Sequence, residues 1–167
     1  MLDTMTAETE IEEDTMEDLY LLFSIEDRSY GLDLLYMIEI ISYQKITEID
    51  NMPAYVKGVI NLRGKIIPVI DVRLRFNREQ KNYNEFTCIV IVKLENLIVG
   101  IIVDTVQDII KIPKSVIEPT PSFGNNTETW CIDNLGKVNE QVIMILNLSK
   151  FIYHKDSELI SERLKNE

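Results

Sequence analysis

V-K-G-V-I-N-L-R-G-K-I-I-P-V-I-D, residues Val56 to Asp71, is the stretch whose reading decides the fold. Val59 and Ile60 lead into a polar break, and Ile66, Ile67, Val69 and Ile70 lead out of it. β-Branched residues on both sides favour strand. Between them, Asn61-Leu62-Arg63-Gly64 holds a glycine able to take the positive φ of a tight hairpin turn. The stretch therefore predicts a β-hairpin. Pro68 cannot donate to a ladder, so its strand is expected at an edge or at a bulge.

Outward from this hairpin the same pattern recurs. Toward the N-terminus, strands are predicted over Tyr20–Ile25, Tyr30–Leu34 and Ile38–Tyr43, with a turn at Glu26–Ser29 and a brief helical turn at Leu35–Met37. Toward the C-terminus, Asp71 can cap a short helix over Val72–Phe76. Residues Asn77–Glu85 form a polar linker. Strands are predicted over Phe86–Leu94, Leu97–Val103, Val106–Ile112, Trp130–Ile132 and Val142–Leu146. Pro113, Pro119 and Pro121 mark a long loop. Asn147 can cap a second helix carrying Leu148, Phe151 and Ile152, and Asp156 a last one ending near Lys165.

Sliding Tyr20–Ile41 by 69 places lays it on Ile89–Ile110. Glu26 then meets Glu95, Gly31 meets Gly100, and Glu39 meets Asp108. Further on, Val69-Ile70-Asp71-Val72 resembles Ile145-Leu146-Asn147-Leu148. Two matches in the same order indicate two copies of one β unit, each with about five short strands that could close a small barrel. The expected organisation is an acidic, disordered tail over 1–17, one body over 18–153 divided near residue 80, and a C-terminal helix over 154–167.

The chain has 167 residues and a net charge of −11. Residues 1–18 hold eight acidic groups and no basic one, leaving −3 for the rest. Such a balance does not attract phosphate backbones, so nucleic acid is not expected as a partner. The longest apolar run, Leu97–Val103, falls far short of the ~20 residues that span a bilayer, so no membrane insertion is expected. No basic start with an apolar core marks a signal peptide. Cys88 and Cys131 make no metal or redox spacing and fit a reducing cytoplasm.

Catalytic constellations are not found. The only histidine, His154, has no nucleophile or carboxylate at a recognisable spacing. Gly58 and Gly64 sit in a hairpin with no helix N-terminus behind them, so they are not a phosphate loop. No cofactor motif occurs. Cys131 reads as core or as a loop thiol. A small enzyme with Cys131 as nucleophile is the rival from another class, and fast alkylation would support it.

G-V-I-N-L-R-G followed by I-P-V-I-D resembles the signature of the CheW family, the coupling proteins of bacterial chemotaxis. Y-G-L-D at Tyr30–Asp33, I-E-I at Ile38–Ile40, P-A-Y-V-K-G-V-I-N-L-R-G at Pro53–Gly64 and V-G-I-I-V-D at Val99–Asp104 extend the likeness to roughly Asp18–Tyr153. The resemblance implies an all-β fold of two tandem five-stranded SH3-like barrels around an apolar seam. It implies a cytoplasmic, non-enzymatic adaptor recruited to membrane-associated arrays. There it would bind chemoreceptor cytoplasmic tips and the regulatory domain of the histidine kinase CheA. A scaffold of a non-motility chemosensory pathway is the alternative within the same class.

Carried onto this sequence, the family's receptor surface falls on Met37, Glu39, Ile40, Gly58, Asn61 and Arg63. Glu39 and Arg63 are the charged members. A structural salt bridge, a solvated pair and direct partner contact all fit them, and a guanidinium can orient a carboxylate while donating to a partner. The family's kinase contact uses apolar barrel ends. A further kinase or ring surface falls on Pro119, Pro121 and Phe123, where Phe123 also fits as a core anchor for the loop. Two departures stand out. Familiar members place arginine before P-x-P, where this chain has Glu118. Cys131 and Asp133-Asn134-Leu135-Gly136 stand where many members show a tyrosine and a Gly-x-Gly turn.

Overall fold

The computed structural model describes residues 16–121 and 129–153. In them the chain forms β1 (Leu19–Ile25), β2 (Arg28–Asp33), β3 (Met37–Ser42), β4 (Val56–Leu62), β5 (Lys65–Asp71), β6 (Cys88–Leu94), β7 (Leu97–Val103), β8 (Thr105–Lys111), β9 (Ile117–Pro119), β10 (Ile132–Val138) and β11 (Gln141–Leu146). Helices α1 (Val72–Arg75) and α2 (Leu148–Tyr153) follow β5 and β11. Both start at the expected caps. The Asp71 carboxylate accepts from the Arg73 amide at 2.9 Å, and the Asn147 side chain from the Lys150 amide at 3.0 Å. Of the tail expected to be disordered over 1–17, residues 1–15 lie outside the described residues, as does the expected helix over 154–167; Met16 and Glu17 are described, in a turn before β1.

The strands build two sheets, one ordered β8-β1-β2-β11-β10-β9 and the other β3-β6-β7-β5-β4. These are two SH3-like barrels, and the repeat relates them: β1 to β5 correspond to β6, β7, β8, β10 and β11. The division near residue 80 does not describe the sheets. Hairpin β1–β2 joins β8 and β11, while hairpin β6–β7 joins β3 and β5. Each copy lends its first hairpin to the other. The cause lies in the crossings that follow β2 and β7. A 3-10 turn, Leu34–Tyr36, capped by Asp33 through the Leu35 amide at 3.0 Å, carries the chain across after β2. Asp104 alone does so after β7. Neither crossing reverses the chain as a hairpin turn would, so β3 and β8 enter the neighbouring barrel.

The linker expected to be a boundary instead joins two strands of one barrel. Tyr83 in it donates to the buried Asp71 carboxylate at 2.5 Å and packs on the Tyr43 ring at 4.6 Å. Burial, then the Asp71 hydrogen bond, push the Tyr83 phenol pKa upward, so it remains a donor.

Three apolar clusters follow from this exchange. Ile60, Ile67, Val69, Ile89, Ile91 and Ile102 fill the five-stranded barrel. Leu22, Ile112 and Ile143 fill the six-stranded one. The largest cluster, including Phe23, Tyr30, Phe76, Val90, Ile101, Leu146 and Phe151, lies between barrels. Strands β1, β6 and β7 touch an interior on one face and the seam on the other. Their near-continuous apolar runs are what burial on two faces requires. The repeat holds in register: Gly31 lies between Leu22 and Ile145, and Gly100 between Ile91 and Val69.

Three local expectations need correction. Pro68 is not on an edge strand, and the bulge in its pair with β4 places the extra residue, Lys57, on β4, opposite Val69 and Ile70. Pro68 faces Val59 on β4, and the ladder from β5 to β7 begins one residue later at Val69, so its missing donor leaves no gap. The long proline-marked loop contains β9, paired with Asn134–Gly136. Trp130 lies in a 3-10 turn, and the strand placed there begins at Ile132 and runs to Val138.

Candidate functional site

The tip of hairpin β4–β5 is a two-residue turn with φ of 51° at Arg63 and 86° at Gly64. These are the signs of a type I′ turn, the form that matches strand twist. Gly64 takes its value without strain, whereas Arg63 is a side-chain-bearing residue in the left-handed region. The Asn61 carboxamide oxygen accepts from the Gly64 amide at 2.9 Å and closes the turn.

From this turn the Arg63 guanidinium reaches β3. It donates from Nη1 to Glu39 Oε1 at 2.6 Å and from Nη2 to Oε2 at 2.7 Å. Strands β3 and β4 are the two ends of the five-stranded order, so this fork bridges the two end strands. The Arg63 side chain is 72 % exposed and that of Glu39 24 %. Hydrogen bonding to Arg63 holds the Glu39 carboxyl below its ordinary range, and the same bonds raise the guanidinium. The pair stays charged, presenting a cation tied on one side and open on the other.

A register shift between Met37 and Glu39 sets this geometry. It leaves Ile38 unpaired opposite β6, as a bulge does. Ile38 is 48 % and Ile40 38 % exposed, so the outer face of β3 is apolar beside the charged tip. The structure therefore brings Glu39, Ile40, Asn61 and Arg63 together at one end of this barrel. Met37 and Gly58 are committed inward. Met37 packs against the cluster between the barrels. Gly58 has φ of +144°, and a Cβ there would lie 2.0 Å from the Thr47 carbonyl oxygen. This close approach lets Thr47 and Val59 exchange two backbone hydrogen bonds of 2.9 Å.

Pro119 ends β9 opposite Asn134, and Pro121 is exposed. Phe123 lies outside the described residues, as does His154. Glu118 accepts from Lys137 Nζ at 2.9 Å across the β9–β10 pair, so the departure from arginine there has a basic partner within the chain. Cys131 has no exposed surface and belongs to the cluster between the barrels. The thiol at that place is buried among apolar side chains, which does not favour the cysteine-enzyme alternative.

The sequence reading missed the charges on α1. Arg73 and Arg75 are 7 % and 4 % exposed. Arg73 forks onto Asp104, with Nε at 2.8 Å and Nη2 at 2.5 Å, and also reaches Glu26 at 3.1 Å. Arg75 donates to the Phe151 carbonyl at 2.8 Å. Its guanidinium lies 4.2 Å from the Tyr55 ring and 4.5 Å from the Trp130 ring. The signal was the spacing in V-R-L-R-F: in a one-turn helix between two barrels, alternate residues face opposite neighbours.

Comparison with known proteins places this architecture. The CheW-like domain family matches residues 19–156. The chain is 31 % identical over 153 residues to chemotaxis protein CheW of Klebsiella aerogenes, covering 92 % of each protein. It is 29 % identical to chemotaxis protein CheW of Bacillus subtilis, covering 83 % of this chain and 88 % of that one. The crystal structure of the scaffolding protein TtCheW from Thermoanaerobacter tengcongensis superimposes with a TM-score of 0.75 at 33 % identity. That match covers 81 % of this chain and 92 % of the other. Two SH3-like barrels packed on a common seam, with a charged hairpin tip beside apolar strand faces, define an adaptor domain. The chain belongs to the CheW family and is a coupling adaptor of bacterial chemotaxis.

Proposed function

We propose that this protein couples chemoreceptor cytoplasmic tips to the regulatory domain of CheA, without catalysing a reaction, in arrays to which it is recruited at the membrane. The receptor face is the end of the five-stranded barrel carrying Glu39, Ile40, Asn61 and Arg63, with Met37 and Gly58 supporting it from within. The kinase or ring face includes the loop of Pro119, Pro121 and Phe123. The observation that carries the reading is the forked Arg63–Glu39 pair, held on an exposed tip beside exposed Ile38 and Ile40. The guanidinium has five N–H donors and the pair uses two, so donors remain for a partner's carboxylate or carbonyl. One body with two faces converts two separate encounters into one assembly through effective concentration.

The test is reconstitution of receptor-stimulated kinase activity with Arg63→Ala and Glu39→Ala. Arg63→Ala stays folded and fails to bring receptor and kinase together. Glu39→Ala weakens receptor binding and largely spares kinase binding. A folded Arg63→Ala protein that couples like wild type would show the tip to be structural only.

A further inference from the structure

The chain passes between the barrels twice, at Leu34–Tyr36 and at Asp104. At the second crossing four charged side chains converge. Asp104 receives the Arg73 fork and accepts from the Glu26 amide at 2.8 Å. The Glu26 carboxylate takes Arg73 Nη1 at 3.1 Å and Arg78 Nη1 at 2.6 Å. Glu26 belongs to the β1–β2 turn of the six-stranded barrel. Arg73 and Arg78 follow β5 of the five-stranded barrel, and Asp104 is the joint itself. Two carboxylates and two guanidiniums thus tie one barrel to the other.

We propose that Arg73, Asp104 and Glu26 are positioning residues that fix the angle between the barrels and thereby hold the two docking faces in one geometry. This rests on the adaptor function proposed above. Apolar burial at the seam is non-directional, so it favours contact without selecting one angle. A fork of charge-assisted hydrogen bonds is directional. It is also shielded, with Arg73 side-chain exposure at 9 % and Asp104 at 19 %.

The repeat supplies the internal control. At the first crossing, Leu35 stands where Asp104 does, Ser149 where Arg73 does, and Glu95 where Glu26 does. Glu26 and Glu95 share a φ of 56°, so the turn is the same. Yet Leu35 is 65 % exposed, and Glu95 has no ion-pair partner among the described residues. The same crossing is made there without an ion network between the barrels: the nearby Asp133–Lys150 pair joins β10 to the helix after β11, both of the six-stranded barrel. The charges at Asp104 are therefore not what lets the chain cross.

The double variant Arg73→Ser, Asp104→Leu copies the uncharged crossing into the charged one. Residual dipolar couplings of the two sheets, measured on the full chain, report the angle. In wild type one alignment tensor fits both sheets; in the double variant two different tensors are needed. Glu26→Gln moves the same couplings less, in the same direction. In parallel, binding is measured to a host chemoreceptor cytoplasmic fragment on vesicles and to the host CheA regulatory domain, separately and together. Each separate affinity changes by less than ~2-fold, while the enhancement of one partner's binding by the other falls by about tenfold.

One shared tensor with undiminished enhancement in the double variant would overturn the proposal. Failure of the double variant to fold would also overturn it, by assigning the cluster to stability. If the wild-type protein bound neither partner, the adaptor reading would fall, and the couplings would still decide whether the cluster fixes the angle.

Discussion

The two hairpin tips share a backbone and differ in chemistry. Arg63–Gly64 on the five-stranded barrel has φ of 51° and 86°; Asn139–Glu140 on the six-stranded barrel has 47° and 66°. On the first, the turn arginine reaches Glu39 on the neighbouring strand. On the second, asparagine takes the arginine's place and Asp108 that of Glu39. Asp108 accepts from the adjacent Ile109 amide at 2.8 Å instead. One barrel thus closes without an ion pair at its tip, so the pair on the other is not demanded by the barrel. That comparison supports the proposal that Arg63 and Glu39 serve a partner.

The largest separation between equivalent positions is expected at the bulges of β4 and β10. Gly58 and Asn134 correspond, each beside a register shift. A Cβ at Gly58 meets backbone at 2.0 Å and 2.7 Å, which no rotamer relieves. Gly58→Ala is expected to lose about 3 kcal/mol or more in denaturant unfolding. Asn134→Ala, at an exposed position with ordinary φ, is expected to lose no more than ~0.5 kcal/mol. Equal losses would break the comparison.

Next come Gly31 and Gly100. A Cβ at Gly100 would lie 2.8 Å from Ile89 Cγ2, whereas one at Gly31 would lie 3.2 Å from Ile143 Cγ2. Overpacking of this kind costs roughly 1–3 kcal/mol. Gly100→Ala is expected near the upper end and Gly31→Ala near or below the lower, as read from unfolding midpoints at unchanged m-value.

Acid sharpens the comparison of ion networks. Burial pulls the Asp104 carboxyl upward, but the hydrogen bonds from Arg73 and the Glu26 amide, with the charges of Arg73 and Lys81, together hold the pKa below the ordinary 3.8. Asp133 on β10 is likewise pulled up by burial and brought below 3.8 by Lys150 and Asn147. A carboxyl depressed in the folded state adds stability that is complete above its unfolded pKa. That stability is lost as pH falls through the folded value. The thermal midpoint of wild type should therefore drop on acidification below 3.8, and Asp133→Asn should show a shallower drop. An unchanged slope would remove Asp133 from the acid response.

The smallest effect is expected at the tips themselves. Arg63→Ala and Asn139→Ala should both leave the thermal midpoint within measurement scatter, because Asn139 is exposed and the Arg63–Glu39 pair lies at the solvent-facing surface, where ion pairs add little. A clear drop for Arg63→Ala alone would return the ion pair to the fold.

Much of this was legible in the chain. Period-two alternation and turn residues located most strands, and the offset match of Tyr20–Ile41 on Ile89–Ile110 gave the duplication. Glu39 and Arg63 were singled out together through the resemblance to the CheW family, whereas spacing alone gave a turn arginine and could not say whether the two touch. The exchange of hairpins was not legible. Leu21, Phe23, Val90 and Val92 announce burial, but apolar burial carries no address for a partner strand. Asp104 and Arg73 were passed over for a related reason. A one-residue crossing shows no periodicity, and in the one-turn helix the alternation in V-R-L-R-F was the single cue. Glu140 hid the second type I′ turn, because it occupies with φ of 66° a place where glycine would have been the signal.

Hairpin exchange also dictates an order of assembly during synthesis. Strands β3 to β7 are consecutive, so the five-stranded barrel can pair fully once Val103 has left the ribosome. Hairpin β1–β2 emerges earlier and must wait. One of its edges is for β8, and its other edge, at Tyr30 and Gly31, is for Met144 and Ile145 near the far end of the chain. Until then its backbone groups are an open template of the kind that recruits foreign strands. Pairings between such distant segments are also the slow ones. The barrel that bears the Arg63–Glu39 tip is thus the one whose strands are all available first. A nascent chain stalled before β11 would carry a finished tip on one barrel and an unclosed, aggregation-prone edge on the other.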